Sequence, residues 1–144
     1  RGLGDVYKRQ LMKNKIALVY SDYYQDITDG LIDGFYSTIN KEFQIDKYSV
    51  IGAWEIIYKI NSLTKDYDKF IAVGAIVKGE TDHYEYISSG VTNGLINLTI
   101  SKNVYISNCI LNVHKIEDAK DRSSNDNKNK GSESANALNN LFTY

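Results

Sequence analysis

Proline is missing from the 144-residue chain, and cysteine occurs once, as Cys109. A single cysteine can form no intrachain disulfide. Its place in an apolar run, Cys109-Ile110-Leu111, favours a buried structural thiol over a reactive one. No apolar run approaches the roughly 18 residues that cross a bilayer, and no signal peptide is visible. We therefore expect a cytoplasmic protein with no membrane contact.

The chain also lacks an excess of charge of either sign. Its 17 Lys and Arg residues nearly balance its 18 Asp and Glu residues, which gives a formal net charge of −1. No basic field therefore points to nucleic acid, and we expect no nucleic-acid partner. Hydrophobic residues make up 42% of the chain, as in ordinary globular proteins, and a chain of this length can bury a core.

The first residues lack a clear periodicity. Residues 5–10 resemble a translated transposon end of the kind used in sequencing libraries. We expect residues 1–11 to be an artefactual or disordered leader, with the natural chain starting at Met12 and residues 12–144 forming one domain. Whether this leader is artefactual or disordered, we expect no catalytic or binding residue in it.

Short apolar runs alternate with segments of helical spacing along the rest of the chain. Runs typical of buried strands lie at residues 16–20, 43–50, 70–77 and 104–111. Helical patterns cover residues 27–39, 54–63, 84–102, 116–122 and 130–141, and Asp26 or Thr28 is a candidate cap for the first helix. This alternation predicts an α/β fold, a three-layer sandwich in which helices cover both faces of a four-stranded parallel sheet.

Unusual residues follow each predicted strand. They lie in residues 22–24, 52–55, 79–83 and 112–114, and include several aromatic and charged side chains. The carboxyl ends of parallel strands meet at one edge of a sheet, where ligands of such folds bind. The sequence therefore predicts a ligand site at this edge.

Three segments carry a resemblance to a known family. They are Gly52-Ala53-Trp54-Glu55, the run VGAIVKGETDHYEY at residues 73–86, and IEDAKDR at residues 116–122 followed by Asn129-Lys130-Gly131. In order and spacing, over about residues 16–141, they resemble the lumazine synthases. The resemblance implies a flavodoxin-like topology and a transferase that uses no metal and no organic cofactor. It also implies a homopentamer with sites between subunits, which in some members assembles further into a sixty-subunit shell.

The implied reaction joins two small-molecule substrates. The family condenses 5-amino-6-ribitylamino-uracil with 3,4-dihydroxy-2-butanone 4-phosphate. Imine formation, loss of inorganic phosphate and ring closure with loss of water give 6,7-dimethyl-8-ribityllumazine. This is the penultimate step of riboflavin biosynthesis.

The resemblance assigns one set of residues to the pyrimidine and its ribityl chain: Tyr23, Ala53, Trp54, Glu55, Ala75, Ile76 and Val77. Tyr23 matches an aromatic that stacks on the pyrimidine ring, although it is alternatively one of many surface tyrosines. Glu55 is equally explained by helix-start chemistry, because a carboxylate is stabilised near a helix N-terminus. Residues 75–77 are alternatively plain core strand.

A second set is assigned to the phosphate substrate and to proton transfer. Glu80 and Thr81 match the phosphate region at a helix start, where backbone N–H groups favour an anion. His83 matches the proton-transfer histidine, and an imidazole can exchange protons near neutral pH. Arg122 matches an arginine that reaches the phosphate from the neighbouring subunit, and Lys130 a lysine beside it. Without the resemblance, His83 would be a structural histidine and the last two would be solvated helix-end charges.

The sequence departs from the family at several positions. Asn108 stands where a bulky aromatic near the butanone substrate is common, and Tyr24 stands where asparagine is frequent. Prolines usual around residues 52–55 are missing, which predicts a less rigid turn. The loop at residues 123–128 lacks the usual glycines, so we do not favour a shell over a pentamer.

Two other functions remain as alternatives. A protein of the same fold could hold lumazine or riboflavin without making it, and Asn108 is the support for this reading. A generic nucleotide binder is disfavoured because no Gly-x-Gly-x-x-Gly motif follows the first strand. A metal site made from His83 and His114 is weak, since histidines 31 residues apart show no ligand spacing.

Overall fold

Four parallel strands form one sheet in the computed structural model, which describes Gly4 and residues 12–143. The strands are β1 (Lys15–Ser21), β2 (Gln44–Val50), β3 (Lys69–Val77) and β4 (Tyr105–Val113). Their order is β2-β1-β3-β4, and the register places Lys15 opposite Gln44 and Lys69 opposite Tyr105. The predicted leader, apart from Gly4, lies outside the described residues.

Five helices connect or follow the strands within residues 12–143. They are α1 (Gln25–Thr38), α2 (Ala53–Leu63), α3 (His83–Lys102), α4 (Ile116–Arg122) and α5 (Lys130–Phe142). Each strand and helix predicted from the sequence is present, with ends shifted by a few residues at most. None of the described helices is long and apolar enough to cross a membrane.

The core is split by the sheet into two apolar clusters. Helices α1, α4 and α5 pack on one face, where Ile71, Val73 and Ala75 of β3 point. Helices α2 and α3 pack on the other face, against Phe70 and Ala72. Side chains of β3 are thus buried on both faces, which explains its unbroken apolar sequence. The predicted three-layer, flavodoxin-like fold is confirmed.

The start of α1 differs from the sequence prediction. Its N-cap is Tyr24, whose carbonyl accepts a hydrogen bond from the Thr28 N–H at 3.0 Å, and Asp26 lies inside the first turn. Thr28 is buried, and its hydroxyl donates to the carbonyl of Ser21 at 2.7 Å. Thr28 therefore ties the helix back to the end of β1 instead of capping it.

Helices α1 and α5 approach each other closely. A Cβ atom on Gly131 would overlap the carbonyl oxygen of Leu31, and one on Gly34 would overlap the side chain of Asn129. Asn129 is buried, caps α5 through the N–H of Ser132 at 3.1 Å, and donates to the carbonyl of Ser124 at 2.8 Å. One amide side chain thus holds the glycine-free loop at residues 123–128 in place.

Cys109 has no exposed surface, and burial raises the pKa of its thiol to about 12. A thiol that resists ionisation is a poor nucleophile. The prediction of a buried structural cysteine is confirmed.

Candidate active site

A cavity of about 360 Å³ opens at the carboxyl edge of the sheet. The chain runs from β1 to β2 on one side and then crosses to β3 on the other side of β1, which leaves a crevice between the ends of β1 and β3. Three segments at this edge line the cavity: residues 23–24 after β1, residues 52–54 after β2, and residues 75–87 from the end of β3 into α3. The cavity lies at the edge of the sheet where the sequence predicts a ligand site.

Aromatic side chains form one wall of the cavity. Tyr23 and Trp54 line it with 71% and 61% of their surfaces exposed, so both rings are open to a ligand. The ring of Tyr24 meets that of Tyr23 edge-on, with centroids 4.9 Å apart and an interplanar angle of 67°. Trp54 also lies beside Gly90, where an added Cβ would be 3.4 Å from its ring. This wall can stack on a flat heterocycle.

The turn from β2 into α2 is tied to β1. Gly52 caps α2, and its carbonyl accepts from the Glu55 N–H at 3.1 Å. The Ser21 hydroxyl donates to the carbonyl of Ile51 at 3.4 Å. The carboxylate of Glu55 turns back toward Gly52, 3.1 Å from the position of an added Cβ, and Glu55 does not line the cavity. Its position fits the helix-start interpretation.

The end of β3 forms the floor of the cavity. The side chains of Ala75 and Ile76 are mostly buried in the two core clusters, while Val77 is half-buried. The core-strand interpretation therefore holds for this segment, which also lines the cavity. Beyond Val77, the Lys78 N–H donates to the carbonyl of Val113 at 2.9 Å, so β3 and β4 stay paired up to the loop.

The start of α3 provides a corner suited to an anion. Gly79, Thr81 and His83 line the cavity here, and the Thr81 hydroxyl accepts from the His83 N–H at 3.3 Å. The N-cap, Asp82, makes no side-chain capping bond, so other backbone N–H groups of the first turn stay open. The positive end of the helix dipole and the open backbone N–H groups together favour the binding of a phosphate.

Four more predicted site residues lie outside the cavity. Glu80 is exposed in the loop before α3. Asn108 faces outward on β4, where its side-chain oxygen accepts from the Ile110 N–H at 3.0 Å. Arg122 is exposed at the end of α4, and the Lys130 ammonium pairs with Glu133 at 2.9 Å. A single chain therefore brings together only part of the predicted set.

Comparison with known proteins decides the family. The family model described as 6,7-dimethyl-8-ribityllumazine synthase matches residues 13–143. The chain belongs to the 6,7-dimethyl-8-ribityllumazine synthase family.

Relatives of that name cover most of the chain. The 6,7-dimethyl-8-ribityllumazine synthase of Buchnera aphidicola subsp. Baizongia pistaciae is 39% identical over 130 residues, which is 85% of this chain and 82% of the relative. That of Bartonella henselae is 36% identical over 130 residues, with 87% and 84% covered. That of Leuconostoc mesenteroides is 34% identical over 142 residues, with 92% and 91% covered.

Two of the residues outside the cavity lie near the β4 edge of the sheet. The backbone carbonyl of Asn108 accepts from the Ser134 hydroxyl of α5 at 3.4 Å, and Lys130 precedes Ser134 by one helical turn.

The cavity is also lined by residues that were not in the predicted set. They are Tyr24, Gly52, Gly79, Tyr84 and Ile87. Ile87 could have been predicted from the sequence, because it lies four residues after His83 and therefore on the same helix face. Tyr84 packs edge-on against His114 at 5.4 Å between ring centroids. That contact spans 30 residues of sequence, and no local pattern reveals it.

Metal ligands are not grouped in the described part of the chain. No cluster of three or more His, Cys, Asp or Glu side chains there could hold an ion. His83 and His114 both lie near Tyr84, but they are not part of such a group.

Proposed function

We propose that the chain condenses 5-amino-6-ribitylamino-uracil with 3,4-dihydroxy-2-butanone 4-phosphate to 6,7-dimethyl-8-ribityllumazine, inorganic phosphate and water. One observation carries the proposal. A single cavity holds an aromatic wall, the end of a central strand, and a helix start with a threonine and a histidine. The aromatic wall suits a flat heterocycle, and the helix start beside it suits a phosphate ester.

The pyrimidine is proposed to bind against the aromatic wall. Tyr23 stacks on the ring, as exposed aromatics do with flat heterocycles. Backbone groups of residues 75–77 contact its edge, and the segment Ala53-Trp54-Glu55 supports the ribityl chain. The hydroxyls of that chain need hydrogen-bond partners, which backbone groups of the cavity lining at Ala53 and Trp54 can supply, with the Glu55 carboxylate just outside that lining.

The phosphate ester is proposed to bind at the start of α3. Thr81 and the open N–H groups there receive the phosphate, with Glu80 in the same loop. Both substrates then share one cavity of about 360 Å³. Holding them together supplies most of the rate enhancement, since it turns a bimolecular condensation into an effectively unimolecular one.

His83 is proposed to transfer protons. It is exposed in the cavity at the anion corner, as the first residue of α3. An imidazole there can take a proton during imine formation and assist the departure of phosphate. Neither step calls for a metal or an organic cofactor.

The active form is proposed to be a homopentamer in which a neighbouring subunit completes each site. Asn108, Arg122 and Lys130 lie outside the cavity of their own chain, and would reach the butanone phosphate of the adjacent one. Large apolar side chains stand exposed on α2 and α3, which lie side by side: Trp54, Tyr58, Ile96 and Ile100. Such a patch is typical of an interface between subunits. A shell of sixty subunits is not proposed, and a cytoplasmic location stays a prediction.

The proposed reaction is tested by lumazine absorbance in mixtures of the purified chain with both substrates. Product should form only when both substrates are present, and Arg122→Ala should raise the KM for the butanone phosphate. Arg122→Lys should also raise it, because a lysine lacks the planar fork that binds phosphate in a bidentate way. Lys120→Ala, at an exposed position of the same helix, serves as the matched control.

The shared site is tested by mixing two variants. His83→Ala and Arg122→Ala subunits each carry one intact half of the site. Random co-assembly should restore full activity at about a quarter of the sites if the halves come from adjacent subunits. Activity that stays at the mean of the two separate variants would contradict a site between subunits.

A carrier of lumazine or riboflavin remains the second candidate, because Asn108 replaces an aromatic and its side chain is engaged within its own strand. Competition separates the two functions. A carrier has no need of a phosphate site, so inorganic phosphate should leave its ligand affinity unchanged. A synthase should bind the butanone phosphate more weakly as phosphate is added.

A further inference from the structure

Tyr23 and Tyr24 are adjacent tyrosines in very different settings. Tyr23 is 71% exposed at the mouth of the cavity. Tyr24 is half-buried and packs against the core cluster under α1. Their rings meet edge-on at 4.9 Å, a geometry that aromatic pairs prefer.

Tyr24 is the fixed member of this pair. Its carbonyl accepts the first helical hydrogen bond of α1 from Thr28 at 3.0 Å, and Thr28 is itself bonded to Ser21 at 2.7 Å. The Tyr23 side chain has no hydrogen bond within the described residues, although its N–H donates to the Ser21 hydroxyl at 3.5 Å. The edge-on contact with Tyr24 therefore restrains a ring that is otherwise without a hydrogen bond in the described part of the chain.

We propose that Tyr24 is a positioning residue for pyrimidine binding. It holds the ring of Tyr23 in the orientation that stacks on the substrate, so that less side-chain freedom is lost when the ligand binds. This inference rests on the proposed function, because it takes Tyr23 as the stacking residue. Tyr24 also lines the cavity, but the role proposed for it acts through Tyr23.

The effect is confined to one substrate. An aromatic pair of this kind changes affinity by about threefold to tenfold, judged from its usual strength. Removing the Tyr24 ring should weaken binding of the pyrimidine and of lumazine by that factor. The KM for the butanone phosphate should stay unchanged, because the anion corner lies at the start of α3 and not on Tyr24.

The test compares Tyr24→Asn, Tyr24→Leu and Tyr24→Phe in the full chain. Asparagine is a favoured helix N-cap, so Tyr24→Asn keeps the start of α1 while removing the ring. Leucine keeps apolar packing, and phenylalanine keeps the edge-on contact. Tyr36→Leu is the matched control, since Tyr36 also pairs edge-on with a neighbouring ring, Phe35, on the same helix but does not line the cavity.

Two readouts are measured: the KM for each substrate, and the dissociation constant for 6,7-dimethyl-8-ribityllumazine from its fluorescence. Tyr24→Asn and Tyr24→Leu should raise the pyrimidine KM and the lumazine constant by about threefold to tenfold, with Tyr24→Phe close to the unaltered chain. An equal rise in both KM values would show a general structural defect and overturn the inference. So would unchanged constants in both ring-removing variants.

A double-mutant cycle with Tyr23→Leu isolates the contact. Once Tyr23 has lost its ring, Tyr24→Asn should have no further effect on lumazine affinity. Additive losses would overturn the inference. If the unaltered chain binds lumazine without forming it, the proposed enzyme activity is refuted. The double-mutant cycle on lumazine affinity then still decides whether Tyr24 positions Tyr23. A chain that neither forms nor binds lumazine would refute both proposals.

Discussion

The hydroxyl of Thr28 donates a hydrogen bond to the carbonyl of Ser21 at 2.7 Å, and both residues are buried. This bond joins the end of β1 to the first turn of α1 across the segment that carries Tyr23 and Tyr24. The Ser21 hydroxyl adds a link to Ile51 in the turn after β2 at 3.4 Å. Two adjacent strand ends are thereby fixed to each other at the mouth of the cavity.

Replacing Thr28 by valine should destabilise the fold. The change keeps the shape of the side chain but leaves the buried Ser21 carbonyl without this donor, which costs about 1–3 kcal/mol. Thermal unfolding at fixed protein concentration should show a midpoint lower by roughly 2–12 °C. Thr99→Val is the control, because the Thr99 hydroxyl bonds only a carbonyl of its own helix, Leu95, at 2.9 Å. Equal losses in the two variants would contradict the role given to Thr28.

Gly131→Ala should be strongly destabilising because α1 and α5 touch at this glycine. The added methyl group would overlap the Leu31 carbonyl, and the backbone of two helices must move apart to admit it. We expect a loss of about 3 kcal/mol, at the upper end for overpacked sites. Gly90→Ala is the matched control, since its methyl group would make only ordinary contact with Trp54 at 3.4 Å. A urea denaturation midpoint of Gly131→Ala equal to that of the control would refute the close contact.

Asp46 should make stability depend on pH in the acid range. Burial opposes its ionisation, but hydrogen bonds from Tyr67 and Gln44 and the charge of Lys15 outweigh burial and hold the pKa of the carboxyl below its usual value. A carboxyl with a lowered pKa stabilises the fold above the unfolded pKa of about 3.9, and this contribution is lost as pH falls through the folded value. The unaltered chain should therefore be more stable than Asp46→Asn at pH 7.

The stability difference between these two proteins should shrink below about pH 4. Urea midpoints measured from pH 7 to pH 2.5 provide the comparison, with Asp66→Asn as an exposed control that shows little difference at any pH. A difference that stays constant across the acid range would show that the Asp46 carboxylate is not the stabilising form.

His83→Ala should slow turnover without abolishing it. General acid–base help is typically worth about a hundredfold or more, and we expect the low end because substrate proximity supplies most of the rate. The control is His114→Ala: His114 is exposed, does not line the cavity and reaches it only through Tyr84. Complete loss of activity in a correctly assembled His83→Ala enzyme would show that substrate proximity does not supply most of the rate enhancement.

Much of the fold was predictable because its signals are local. The unbroken apolar run of β3 and the helical spacing of Val91, Leu95 and Leu98 follow directly from burial on both faces of a sheet and on one face of a helix. The start of α1 was predicted wrongly, since Thr28 has the residue type of a cap and instead bonds Ser21, seven residues earlier. The helix-capping propensity of threonine cannot show that the Ser21 carbonyl, on another element of the fold, takes the hydrogen bond of the Thr28 hydroxyl.

The site was predictable in part for a similar reason. Tyr23, Trp54 and His83 meet because parallel strands end at one edge, which follows from the fold class. Arg122 and Lys130 were assigned by resemblance, and no rule of local structure could say whether they face their own cavity or that of a neighbour. The contact between Tyr84 and His114 needed the three-dimensional packing of α3 against the segment after β4.

The proposed condensation releases one inorganic phosphate for each lumazine that it forms, and this stoichiometry can be measured. The purified chain is mixed with both substrates, and lumazine absorbance and inorganic phosphate are followed in the same sample. Both should rise together, one phosphate for each lumazine, at a rate well above the reaction without protein and reduced in His83→Ala. Production no faster than in the absence of protein, from a folded and assembled chain, would contradict the proposed condensation.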